Sequence, residues 1–127
     1  MITPSFASQF ASKWTAAWNE HDLDAVLAHY REDVRFPSPF ARTLAGEPDG
    51  VIRGRAALRR YFRRGLETFP DLHFEPMAAL AGLRSIALHY RAVEDREAIE
   101  VVELDADGRV VSSAAHYSEE AVMPRGR

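Results

Sequence analysis

The stretch AAWNEHDLDAVLAHYREDVRF, residues 16–36, changes its pattern three times. It opens on the last turns of an amphipathic helix and breaks at Asn19-Glu20-His21. Asp22, a side chain suited to capping a helix start, begins a second, shorter helix. Leu23, Val26, Leu27 and Tyr30 form the apolar face of that helix. Val34-Arg35-Phe36 then alternates as a short strand, which Pro37 and Pro39 end.

Reading outward, Thr3-Pro4 places a capping threonine before a proline at the first helical position, where its missing N–H costs nothing. Phe6, Phe10, Trp14 and Trp18 recur every four residues and make one apolar stripe, widened by Ala7, Ala11 and Ala17. On the other side, residues 37–54 carry prolines and glycines and read as a long loop, of the kind that often serves as a lid. The third helix is expected over Arg55 to Phe69, burying Leu58, Tyr61, Phe62, Leu66 and Phe69, and Pro70 stops it. The remainder reads as strands: Leu72 to Leu80, with Pro76 marking a bulge or an edge, Ser85 to Val93, Ala98 to Leu104, and Arg109 to Tyr117. Asp105-Ala106-Asp107-Gly108 joins the last two as a hairpin turn with glycine in the left-handed position. Helices followed by an antiparallel meander is the α+β pattern. A strongly curved sheet wrapped on those helices leaves a cone open at one end.

Composition narrows the chemistry. The chain of 127 residues is one domain in length, without cysteine and with a net charge of −3. Disulfides, thiol nucleophiles and zinc–thiolate sites are excluded, and a cytoplasmic setting fits. The acidic balance disfavours nucleic acid, and no apolar run reaches the length of a membrane span. Met1 to Phe10 does not have the pattern of a signal peptide. Arg55, Arg59, Arg60, Arg63 and Arg64 crowd the third helix and read as a solvated face. Lys13 is the only lysine. The histidines show no ligand spacing, so no metal is expected. The glycines at 46, 50 and 54 match no nucleotide-binding loop.

The stretch quoted above, together with SP at 38–39, GVIRGRAALRRYF at 50–62 and DADGRVV at 105–111, resembles the SnoaL-like group of the nuclear transport factor 2-like superfamily. That group includes polyketide cyclases and ketosteroid isomerases. The resemblance implies a cystatin-like cone: a curved, mostly antiparallel sheet packed on three N-terminal helices, a pocket inside, and homodimers packed through the sheet face. It places a single SnoaL-like domain over residues 1–117 and leaves 118–127 as a polar tail. The isomerases' oxyanion tyrosine falls on Trp14, and their general-base aspartate falls on Ser38. The aromatic-aromatic-aspartate run that often ends the last cyclase strand reads His116-Tyr117-Ser118. The fold carries over; steroid isomerisation does not, because a serine cannot shuttle a proton between carbons as a carboxylate does.

The residues leave another acid/base set. If the hairpin turn pairs Asp105 with Arg109, Ala98 lies opposite His116 and Glu100 opposite Ala114. Glu100 and His116 then share a face, and a carboxylate diagonal to an imidazole makes a general acid/base pair. A shift of one residue breaks the pairing. Tyr90, on the strand before, is a hydrogen-bond donor if it faces the cavity. Trp14, Trp18, Tyr30, Phe36, Ser38, Phe40 and Tyr61 are the expected ligand-binding lining, although an aromatic stripe serves equally as plain core. The expectation is a cone that takes a small, largely apolar molecule, with cofactor-free isomerase, cyclase, dehydratase or hydrolase chemistry. The alternative is a non-catalytic ligand-binding or dimerisation module.

Overall fold

The computed structural model describes residues 1–120; part of the expected tail, 121–127, lies outside the described residues. Helix α1, Pro4–Asn19, starts where the Thr3 hydroxyl accepts from the Phe6 amide at 3.0 Å. Phe10, Trp14 and Trp18 are buried, whereas Phe6 is 40% exposed. A four-residue spacing drifts about 40° per step on a 3.6-residue helix, so the far end of the stripe rotates away from the core. Asp22 caps α2, Leu23–Leu27, through the Ala25 amide at 3.1 Å.

Strand β1 is Tyr30–Pro37, longer than the alternation at Val34–Phe36 indicated, and it takes Tyr30 away from the second helix. The expected long loop is structured. It holds α3, Pro39–Ala45, and β2, Val51–Arg53. Ser38 caps α3 by accepting from the Phe40 amide at 3.3 Å, with Pro39 at the first helical position, the same device as Thr3-Pro4. Among the described residues four α-helices therefore stand where three were expected.

Helix α4, Arg55–Thr68, follows β2 through Gly54, whose φ of 89° and ψ of 146° lie in a region essentially closed to side chains. A Cβ there would meet nothing nearer than the Glu32 carbonyl oxygen at 3.8 Å. The demand is therefore conformational. Gly54→Ala is expected to cost about 1–3 kcal/mol, read as a lower midpoint in urea with unchanged slope.

The sheet continues with β3 (Glu75–Ala81), β4 (Ser85–Arg91), β5 (Glu97–Leu104) and β6 (Val110–Tyr117). Its six strands run in the order β2-β1-β6-β5-β4-β3, curved and unclosed, and every neighbouring pair is antiparallel except β1 with β6. Edge strand β3 is bulged between Pro76 and Ala78, as its proline implied. Helices and inner sheet face share one core, where Trp14 stacks on Phe74 at 5.5 Å and meets Tyr90 edge-on at 5.1 Å. Asn19 ties the end of α1 to the chain entering β3. Its amide nitrogen donates to the Phe74 carbonyl at 2.9 Å, and its oxygen accepts from the Phe74 amide at 2.7 Å.

The β5–β6 hairpin corrects the expected register. The turn closes as expected, the Asp105 amide donating to the Arg109 carbonyl at 2.8 Å, and Leu104 pairs with Val110. Glu103 then pairs with Ser112, so Val111 is an extra residue, a β-bulge. From there every residue of β6 faces opposite to a straight continuation. Glu100 lies beside Ala115, Ala98 beside Tyr117, and His116 beside Ile99. Inward go Ser113, Ala115 and Tyr117; outward go Ser112, Ala114 and His116.

Candidate functional site

Alternation on β5 points Ala98, Glu100, Val102 and Leu104 inward, all buried. Three of them are apolar. The fourth, Glu100, is a carboxylate 3% exposed. Its Oε1 accepts from the Tyr90 hydroxyl at 3.1 Å and its Oε2 from the Ser113 hydroxyl at 2.6 Å. Burial raises its pKa above the ordinary carboxylate value, and those two hydrogen bonds only partly oppose the rise. A carboxyl group held this way is poised for proton transfer nearer neutral pH than a free glutamate.

All four tyrosines of the chain lie within electrostatic reach of this carboxylate, and Tyr90 touches it. Tyr30, Tyr61, Tyr90 and Tyr117 each have their phenol pKa raised, first by burial and then by the Glu100 charge, for Tyr117 with Tyr61 ahead of it. They are neutral donors at any physiological pH. Tyr30 accepts from the Trp14 indole N–H at 3.2 Å, and Tyr61 shares a hydrogen bond with Ser38 at 3.4 Å. Tyr90 and Ser38 partly oppose the rise at Tyr117.

Glu100, Tyr61, Tyr90 and Tyr117 face a cavity of about 70 Å³, otherwise walled by apolar side chains. Trp14, Trp18, Phe36 and Phe40 line it as expected. Tyr30 and Ser38, expected there too, stand one layer behind, Tyr30 on Trp14 and Ser38 on Tyr61. Trp18 differs from Trp14: its indole N–H is buried with no acceptor among the described residues. Gly65 of α4 also borders the cavity, and a Cβ on it would meet nothing within 4 Å.

His116 is not part of this set. The Val111 bulge turns it to the exposed outer face, where its Nδ1 lies 3.2 Å from the carbonyl oxygens of Ile99 and Ala114. The expected Glu100–His116 pair does not form; the imidazole acts on Glu100 only as a weak charge from the far side of the sheet. Ser113 and Tyr117 take its place, and both were missed in the sequence because they fall on the other parity. The doublet Val110-Val111 was the available signal, since two consecutive apolar residues just after a turn break strict alternation.

Three of the five arginines of α4 serve neighbouring elements: Arg55 donates to the Tyr30 carbonyl at 3.2 Å, Arg59 pairs with Asp24, and Arg64 donates to the Leu44 carbonyl at 2.6 Å. Among the described residues no group of three His, Asp or Glu side chains is placed to hold a metal, and no helix is long and apolar enough to cross a membrane.

The sequence pattern of the SnoaL-like domain matches residues 11–115. The chain belongs to the SnoaL-like family. A SnoaL-like protein of unknown function from Burkholderia thailandensis is 47% identical, with a TM-score of 0.89 over 93% of this chain and 98% of that one. A protein of unknown function with a cystatin-like fold from Methylobium petroleophilum is 19% identical, with a TM-score of 0.73 over 99% of this chain and 84% of that one. SalBIII, an epoxide hydrolase/cyclase-like enzyme in pyran ring formation in the polyether salinomycin, is 20% identical, with a TM-score of 0.70 over 90% and 92%. The last two show the shared fold alone. No curated protein matches the sequence. In this SnoaL-like chain the expected α+β, cystatin-like architecture is present.

Proposed function

We propose that this SnoaL-like protein binds a small, largely apolar carbonyl compound in the cone and moves its α-proton without a cofactor. The carrying observation is a single buried carboxylate in an apolar cavity, met by neutral phenol donors. Glu100 takes a proton from the carbon beside the carbonyl. Tyr61 or Tyr117 donates to the carbonyl oxygen as it becomes an enolate, and donors fixed in a dry site stabilise that charge far better than water does. The indole N–H of Trp18 remains for a second ligand oxygen. Returning the proton to a different carbon gives isomerisation; expelling a leaving group gives dehydration; attack of the enolate on a second carbonyl gives cyclisation.

The test is proton exchange. Short ketones such as 2-butanone and cyclopentanone are incubated with the protein in D₂O, and loss of the α-proton signal is followed by NMR. Protein-dependent exchange is expected, and Gly65→Leu, which puts a side chain into the cavity, should suppress it. Exchange indifferent to that plug would place the chemistry elsewhere.

A second reading is favoured by the outer sheet face, where Leu80, Ile99 and Val101 are 62%, 43% and 36% exposed. Leu80, Ala87, Val101 and Ala114 form one cross-strand row there. This row suits a second copy of the chain as its cover, giving a homodimer. Val101→Glu is then expected to shift the sedimentation coefficient from dimer to monomer; a monomeric wild type would sink the idea. A cytoplasmic setting is part of this reading and accords with a chain without cysteine.

A further inference from the structure

The cavity at Glu100 is too small for the ligands its chemistry suits. It measures about 70 Å³, whereas an engineered cavity that accepts benzene has about 150 Å³. Beside it lies an outer cleft of about 420 Å³, bordered by residues 68–73, Glu75 and residues 91–95. The two spaces share four lining residues: Phe69, Leu72, Ala92 and Val93. Those side chains are a partition. One half hangs on the irregular chain leaving α4, and the other on the β4–β5 turn. Together the spaces reach the range typical of small-molecule sites, about 300–1,000 Å³.

The turn half is unusual. Glu94 and Asp95 are consecutive non-glycine residues with φ of 51° and 64°. The base of the turn is nevertheless fixed. The Ala92 amide donates to the Arg96 carbonyl at 2.6 Å, and the Arg96 amide donates to the Val93 carbonyl at 3.1 Å. The Arg96 guanidinium is fully buried, 5.4 Å from the centre of the Phe40 ring, with Nη1 bonded to Glu94 at 3.1 Å. The Val93 backbone belongs to this fixed base, so its side chain is the part of the wall that can turn without unpairing β4 from β5.

Resting on the reading of the cone as a carbonyl site, we propose that cavity and cleft are two halves of one ligand site, parted here by the Phe69–Leu72–Ala92–Val93 wall. The ligand is elongated. Its apolar, ketone-bearing end reaches Glu100, and a polar, non-anionic end rests in the cleft. Among the cleft's charges Arg91 pairs with Asp95 at 3.6 Å and Glu94 with Arg96 at 3.1 Å, which leaves Asp71 and Glu75 facing an anionic end.

Trp14 and Trp18 are the only tryptophans, and both line the inner cavity. Acrylamide quenching of their fluorescence therefore reports passage through the wall. Val93→Ala is expected to raise the quenching rate constant several-fold and Val93→Phe to lower it. Leu83→Ala, at an exposed position between β3 and β4 that lines neither space, should leave it unchanged. Quenching indifferent to Val93, or equally raised by Leu83→Ala, overturns the partition. The second readout is affinity, followed by the same fluorescence, for acetophenones bearing a para-trimethylammoniomethyl, hydroxymethyl or carboxymethyl group. The first two are expected to bind at least tenfold more tightly than the carboxylate, and equal affinities overturn the assignment of the cleft. If both readouts come out as expected while no ketone exchanges its α-protons, the catalytic reading fails and the divided site stands. If ketones exchange at a rate indifferent to Val93, the reverse holds.

Discussion

Glu100→Gln is expected to reduce α-proton exchange by about 10²–10⁴-fold, the usual worth of a positioned general base, without unfolding the protein. Glutamine keeps the side chain's shape and still offers an acceptor to Tyr90 or Ser113, but it cannot take a proton from carbon. The stability consequence follows from the raised carboxyl pKa. As pH climbs past the ordinary carboxylate range, the unfolded chain releases the Glu100 proton while the folded chain still holds it. Wild-type stability therefore declines until pH passes the raised folded value, and the full loss applies above it. The glutamine variant has no such slope, so it should equal or exceed wild type at neutral pH and lose that advantage in acid. Exchange by the wild type runs the other way and rises with pH as Glu100 ionises. Thermal melts and exchange rates across a pH series check both. A melting difference constant from acid to neutral pH would show that Glu100 is not desolvated by the fold.

The largest loss of stability is expected from Trp14→Ala. Trp14 is 1% exposed, stacks on Phe74, meets Tyr90 edge-on and donates to Tyr30. Emptying such a site costs about 3–5 kcal/mol in lost burial and cavity formation. For a domain of this size that lowers the melting temperature by roughly 10–20 °C. Trp14→Phe retains most of the packing and removes the N–H, so it should cost only about 1–2 kcal/mol. Calorimetry separates the two, and nearly equal losses would mean that the hydrogen bond, not the ring, carries the effect. The alanine variant should lose exchange as well, because Tyr90 packs on the indole while holding Glu100.

Much of the fold is legible because local signals agree with one another. Thr3-Pro4 and Asp22 mark helix starts, the four-residue aromatic spacing marks a buried face, and Asp105 to Gly108 marks the hairpin. The structured insert at 39–53 was hidden by its own punctuation. Ser38-Pro39 carries the same capping signal as Thr3-Pro4, yet so many prolines and glycines nearby suggest a loop. The site was half legible. Glu100, Tyr90, Tyr61 and the tryptophans follow from alternation and helical spacing, which hold wherever an element is regular. Ser113, Tyr117 and His116 lie beyond a bulge, and parity inferred from the turn inverts there. Tyr117 could be found only from the register, which is a property of the sheet and not of its neighbours in sequence.

The bulge at Val111 has a consequence for redesign. Past it, β6 carries two interleaved sets of side chains: Ser113, Ala115 and Tyr117 on one parity, and Ser112, Ala114 and His116 on the other. The extra residue selects which set meets Glu100. Shifting that irregularity along the strand beyond position 116 would deliver an imidazole to the carboxylate and withdraw the phenol, with no side chain replaced. In this strand the position of one extra residue selects which neighbours the buried carboxylate has, hydroxyls in one register and an imidazole in the other.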